Sequence, residues 1–171
     1  MKSRFFAAVF VLAAILPQYR AFSAGKTLRL DYIFSGTAAE QEISLAGLCS
    51  IDGWAGRRNN LDSVPLKGNG QVEVRTKSPG SEVYDKVEYM MSFSTLFQEW
   101  QATEEATKVR RSFENVFLVP MPSGRAQVTV SLFDFFGRIS CCFVHEVDPS
   151  DILIRPVGNT PPPHEWIWKG G

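Results

Sequence analysis

The amino-acid sequence predicts an all-β fold, a β-sandwich of jelly-roll or immunoglobulin-like type with at most one short helix. Three observations point there. Short runs alternate apolar and polar residues with the period of two that a half-buried strand needs. Turn residues punctuate those runs. Only one stretch sets its apolar residues at helical spacing. Seven or eight short strands joined by turns are the sequence signature of a sandwich.

Ahead of the first strand, Lys2 and Arg4 precede an apolar run from Phe5 to Leu16, a break at Pro17, and small residues at Ala21, Ser23 and Ala24. This is the three-part plan of a secretory signal peptide. The run has twelve residues, against the roughly 20 that cross a bilayer as a helix. Residues 1–23 are expected to be removed after Ser23, which sets Ala21 and Ser23 at the two small-residue positions. Cleavage after Ala24 would put bulky Phe22 at one of them. With no cysteine near the end of the run there is no acceptor for a lipid anchor. The expected product is periplasmic or secreted, without stable membrane insertion.

Removal of the leader takes Lys2, Arg4 and Arg20 and no acid, leaving 148 residues with 15 basic and 18 acidic side chains. That is one domain with room for a core. A net charge of −3 without a long basic run gives no electrostatic footprint for nucleic acid. The domain is expected over residues 24–158.

Taking the elements in order, Leu28, Leu30, Tyr32 and Phe34 alternate with Arg29, Asp31 and Ile33, a half-buried strand. Glu42 to Leu48 is expected to return as a second. Asp52 to Gly70 is dense in Gly, Asn and Pro, a long loop whose one large apolar anchor is Trp54. Loops of that length in a compact domain are functional or packed by their own side chains, so Trp54, Arg57 and Arg58 are candidates for an interaction surface. Gln71 to Thr76 alternates again, Ser78-Pro79-Gly80-Ser81 turns, and Val83 is expected to begin the returning strand, its register open over Tyr84 to Met91. Phe93, Leu96, Phe97 and Trp100 then fall at helical spacing, and Thr95 three before Gln98 suggests a capping box. A strand to Phe97 followed by a helical turn is the alternative. Phe113 to Val119 is a strand candidate. Val128, Val130 and Leu132 alternate, a turn forms near Gly137, and Ile139, Cys141, Phe143, His145 and Val147 share one face of the returning strand. Ile152 to Ile154 is a last strand candidate. The tail, residues 159–171, carries Pro161, Pro162 and Pro163 as a stiff extended linker, with Trp166 and Trp168 on one side of an extended segment as further interaction candidates.

Constellations for chemistry are missing from the pattern. Neither His145 nor His164 belongs to an H-E-x-x-H segment, which puts two zinc ligands and a general base on one helix face. His164 is followed by Glu165, but Trp168 stands where the second histidine would be. Cys141 and His145, four residues apart on one strand, would lie about 13 Å apart, too far to act as nucleophile and base. No G-x-S-x-G turn or phosphate-binding glycine loop occurs. Glu104 and Glu105 read as a solvated face, and Asp148-Pro149-Ser150-Asp151 as turn chemistry, with calcium at the two aspartates the alternative. Cys49, Cys141 and Cys142 read as buried small residues rather than a Cys49 bridge. No catalytic residue, metal site or cofactor is expected. Trp54, Trp100, Trp166 and Trp168 could stack against sugars, although large aromatics more often pack.

Five segments in order, TLRLDYIFSG (Thr27–Gly36), GWAGRR (Gly53–Arg58), SFSTLFQEW (Ser92–Trp100), SFENVFLVP (Ser112–Pro120) and VDPSDILI (Val147–Ile154), resemble the N-terminal domain of the IgA-peptidase-type zinc metallopeptidases, metallopeptidase family 64. In that family a zinc peptidase domain with H-E-x-x-H follows the sandwich. The resemblance implies a non-catalytic accessory or interaction domain, a truncated or stand-alone copy, partnered by a peptidase catalytic domain or an extracellular protein or glycan. A free-standing exported glycan- or protein-binding module is the alternative.

Overall fold

The computed structural model describes residues 25–64 and 66–157. Two four-stranded sheets face each other. One has the order β5-β1-β2-β8, the other β4-β3-β6-β7. Their strands are β1 (Lys26–Gly36), β2 (Gln41–Asp52), β3 (Gly70–Thr76), β4 (Lys86–Phe93), β5 (Arg111–Pro120), β6 (Ala126–Phe133), β7 (Ile139–Val147) and β8 (Arg155–Pro156). All pairings are antiparallel except β2 with β8. The sandwich expected from the alternation is what forms.

The core lies between the sheets. Leu28, Leu30, Tyr32 and Phe34 from β1 are buried, and they meet Val72 and Val74 of β3 and Val128, Val130 and Leu132 of β6. Each such side chain, fully buried, contributes about 1.5–3 kcal/mol. β5 closes one side, where Phe117 packs on Phe93 of β4 at 4.5 Å between ring centres. At the other side β2 meets β7, and Ser140 donates to Gln41 Oε1 at 2.7 Å. Between β4 and β5 runs helix α1 (Leu96–Gln101), followed by a 3-10 turn at Glu105–Thr107. Thr95 caps α1 by accepting from the Gln98 amide, which satisfies one of the orphan donors of the first turn. Phe97 and Trp100 plug the end of the core, while Leu96 points outward.

Four expectations need correcting. Val83 does not start β4. Ser81 N donates to Ser78 O, Val83 N to Ser81 Oγ, and Asp85 accepts from Ser78 N, so the turn consumes the chain until Lys86. Ile139 leaves the inner face of β7, because a bulge pairs Phe133 with Ile139 but Leu132 with Cys141. The extra Ser140 turns Ile139 out to solvent. Ile152 to Ile154 is not a strand. Asp151 accepts from the Leu153 amide and Ile154 N donates to Asp151 O, and this local bonding turns the segment before the two residues of β8. Finally, Cys142 is exposed, Cys49 and Cys141 are half-buried, and all three are free thiols. Neighbours on a strand face opposite ways, so Cys141 and Cys142 could not both enter the core.

The register over Tyr84 to Met91 resolves into a second bulge. Val74 pairs with Tyr89 but Arg75 with Val87, and the extra residue, Glu88, is held by Thr76 and Lys86.

Candidate functional site

The loop between β2 and β3 leaves the sheet at Gly53, whose φ of 86° suits glycine. Trp54 then turns inward. It is half-buried, packs edge-on against Tyr89 at 5.7 Å with the rings at 90°, and its indole N–H donates to Arg57 O at 2.9 Å. Gly56 lies so close against that indole that a Cβ would overlap the ring. Any other residue at position 56 would push Trp54 out of place.

Arg57 holds the loop to the sheet. Its guanidinium donates to Ser63 O at 2.6 Å, to Leu61 O at 3.3 Å and to Met90 O at 2.6 Å, and it stands 5.7 Å from the centre of the Tyr89 ring. Met90 N in turn donates to Leu61 O at 2.7 Å. β4 is an edge strand, and unpaired edges invite strand addition. The loop therefore covers β4. Burial pushes the Tyr89 phenol above its usual range, partly opposed by the Arg57 charge.

Between the loop and the sheets remains an open depression of about 590 Å³, lined among others by Thr27, Ile51, Trp54, Ala55, Tyr89 and Leu118. Of the residues expected to form an interaction surface, Trp54 and Arg57 are brought together here, and Arg58 beside them is exposed. Trp166 and Trp168 lie outside the described residues, as do residues 1–23, where a signal peptide is expected, and the proline-rich tail. Trp100 is in the core, its indole N–H donating to Glu105 at 3.2 Å.

The titratable groups are held in structural roles. His145 sits on the inner face of β7, with Nε2 2.7 Å from the Tyr32 hydroxyl and Nδ1 3.3 Å from Glu146 O. A neutral ring with its proton on Nδ1 satisfies both bonds, since the Tyr32 hydroxyl then donates to Nε2. Burial holds the imidazole below its usual range, opposed by the bond to Glu146 O, and pushes the Tyr32 phenol well up. Burial likewise raises the Cys141 thiol, whose Sγ contacts Gln41 O at 3.7 Å. A raised thiol is a poor nucleophile near neutral pH. Asp148 accepts from Ser150 N and Oγ and pairs with Arg125 at 2.9 Å. These bonds, Ser150 first, bring its carboxyl down to about 2. Among the described residues, no three His, Cys, Asp or Glu side chains gather as a metal would require.

One exposed feature is invisible to the strand alternation. The β6–β7 turn exposes Phe135 at 99% and Phe136 at 77%. Its signal in the sequence is Asp134-Phe-Phe-Gly137, two large apolar residues where a turn normally places polar ones.

Residues 18–144 match the family model described as Peptidase M64 N-terminus. No curated protein matches the chain.

Proposed function

The chain belongs to the family of peptidase M64 N-terminal domains, and from that premise we propose that it is an exported, non-catalytic accessory domain that serves a zinc peptidase without cleaving peptides itself. The observation that carries this reading is the family match across most of the chain. The site chemistry supports it. Among the described residues, His145 is engaged by Tyr32, the Cys141 thiol is raised, and Asp148 is paired with Arg125, so these three groups are not poised as base, nucleophile or ligand. The leader of basic, apolar and small residues supports export.

Two measurements test it. Sequencing the DNA downstream should reveal an in-frame or frame-shifted H-E-x-x-H region. Purified chain lacking residues 1–23 should leave an unstructured protein substrate intact with or without zinc. Cleavage by the purified chain that a chelator abolishes would overturn the reading.

A second reading, a free-standing glycan-binding module, is favoured by the apolar depression beside Trp54. It predicts retention on a glycan array that is lost when Leu118, on the open wall of the depression, is changed to Asp. An array without any retained glycan rejects it.

A further inference from the structure

Both ends of the sandwich expose apolar side chains: Val83, Ile152 and Leu153 at the end where β1 begins, and Phe135 and Phe136, adjacent on one turn, at the other. β1 begins opposite Asp52 of β2, and β8 ends opposite Ser50, two residues before it. At the opposite end, about 35 Å away along the eleven-residue β1, sit the β6–β7 turn, the start of α1 and the last part of the long loop. Asn69 O joins them, accepting from Phe133 N at 2.8 Å and from Gln98 Nε2 at 2.7 Å. Among the described residues, the five most exposed large apolar side chains of this far end are Leu66 at 77%, Leu96 at 69%, Phe135 at 99%, Phe136 at 77% and Ile139 at 62%, with Val109 less exposed.

The Phe135–Phe136 tip is built, not loose. Asp134 Oδ1 accepts from Phe136 N and Arg138 N, both at 2.9 Å, Asp134 O accepts from Gly137 N, and Asp134 N donates to Arg138 O. Gly137 takes a φ of 75°, open to glycine at little cost. Arg138 bonds the Asp134 carboxylate at 2.7 Å and lies 5.1 Å from the centre of the Phe136 ring. Three consecutive amide groups are thereby satisfied inside the turn. Those satisfied donors lower the cost of bringing the turn toward hydrocarbon, where no water replaces a missing bond.

The residue types separate two kinds of occupant. Protein interfaces concentrate their energy in Trp, Tyr and Arg, whereas all five residues here are Phe, Leu or Ile, side chains without a polar atom that favour the lipid interior. Most of the surrounding charges are paired among themselves, Arg138 with Asp134, Arg110 with Glu40 and Glu42, Arg111 with Glu105, and Lys108 with Glu104, and the two others, Lys67 beside Leu66 and Glu99 on α1, are of opposite sign. Such a rim offers no net basic patch to anionic headgroups.

We propose that this end is a shallow, reversible membrane contact, in which Phe135 and Phe136 enter the outer layer of a phospholipid bilayer and Leu66, Leu96 and Ile139 rest at its surface. The contact does not depend on the peptidase reading. Being driven by apolar burial, it does not require anionic lipid.

Flotation of the chain lacking residues 1–23 with phosphatidylcholine vesicles tests this. Partition on the order of 10⁴ M⁻¹ is expected, comparable to one acyl chain, unchanged by high salt. The double variant Phe135→Ser/Phe136→Ser should partition at least about a hundredfold more weakly, the loss expected for removing two buried apolar side chains, with its melting temperature unchanged. Phe135→Leu/Phe136→Leu should keep the binding. No flotation of the parent chain overturns the proposal, as does flotation that the double serine variant retains. Binding only to phosphatidylglycerol vesicles, lost in salt, would assign it to charge instead. Self-association in sedimentation velocity that the serine pair abolishes, without flotation, would make a second copy of the chain the occupant and overturn it equally.

Discussion

Replacing Arg57 with alanine isolates what the long loop does. The parent guanidinium makes three bonds to backbone carbonyls, of Ser63, Leu61 and Met90. Hydrogen bonds to charged groups contribute about 1.5–3 kcal/mol each, but the three are not lost equally. Leu61 O keeps the Met90 amide as a partner, and Ser63 O is exposed enough for water to replace the donor. The loss at Met90 O dominates, together with the contact to the buried Tyr89 ring, for which about 0.5–1 kcal/mol is typical where the cation keeps part of its water. The expected destabilisation is about 2–3 kcal/mol, a drop in melting temperature of roughly 6–12 °C for a domain of this size. Chemical denaturation followed by tryptophan fluorescence would measure it, since Trp54 reports on the loop itself. Arg58→Ala is the internal control and should stay within about 0.5 kcal/mol of the parent, as exposed positions do. Equal, small effects from both arginines would refute the role given to Arg57 and return it to the open surface.

Phe97 is fully buried against Phe34, Trp100 and Phe113, so Phe97→Ala should cost about 3–5 kcal/mol in equilibrium unfolding. A cost under about 1 kcal/mol would mean that α1 does not plug the core. For His145 the folded-state pKa lies below the ordinary 6.5 because the ring is buried. The unfolded chain therefore takes up the proton first, and stability is full above 6.5 and declines as pH falls from there through the folded value. Denaturation midpoints measured across that window should show the decline, and His145→Gln should flatten it. Tyr32 shifts upward, so a second decline is expected as pH rises above about 10. Because Asp148 is engaged by Ser150 and Arg125, added calcium should leave the melting temperature unchanged, and a calcium-dependent rise would show that Asp148 and Asp151 form an ion site.

Legibility in the sequence followed the range of the interactions involved. β1 could be read because its inner residues Leu28, Leu30, Tyr32 and Phe34 alternate without interruption against one continuous core. β7 could be read only in part. Cys141, Phe143, His145 and Val147 keep the period, but the Ser140 bulge that expels Ile139 depends on pairing with β6, which no single-strand pattern contains. The apolar triplet Ile152-Leu153-Ile154 was misleading because Asp148 and Asp151 bond the neighbouring amides, and turn chemistry outweighed β propensity. The loop was legible as a loop, and Trp54 as its anchor. What Arg57 does was not, since one of its partners, Met90, lies 33 residues away. The Tyr32–His145 bond spans 113 residues and was out of reach for the same reason.

The placement of the loop bears on where a partner could bind. Starting at Gly53, beside the outer ends of β1 and β8, it runs to Asn69 at the apolar end and covers the edge of β4 on the way. It spans the length of the sandwich, and its contacts at Trp54, Arg57 and Leu61 are made to the sheet. A wall held in this way is poorly suited to closing over a ligand, because each inward bond would have to break before the loop could move. Phe135 and Phe136 stand exposed at the tip, outside the loop's reach, while Val83, Ile152 and Leu153 are exposed at the opposite end. The proposed contact at Phe135 and Phe136 lies about 35 Å along the strands from the start of β1, so serine at those two positions tests it without touching the long loop or the residues around Trp54 and Arg57.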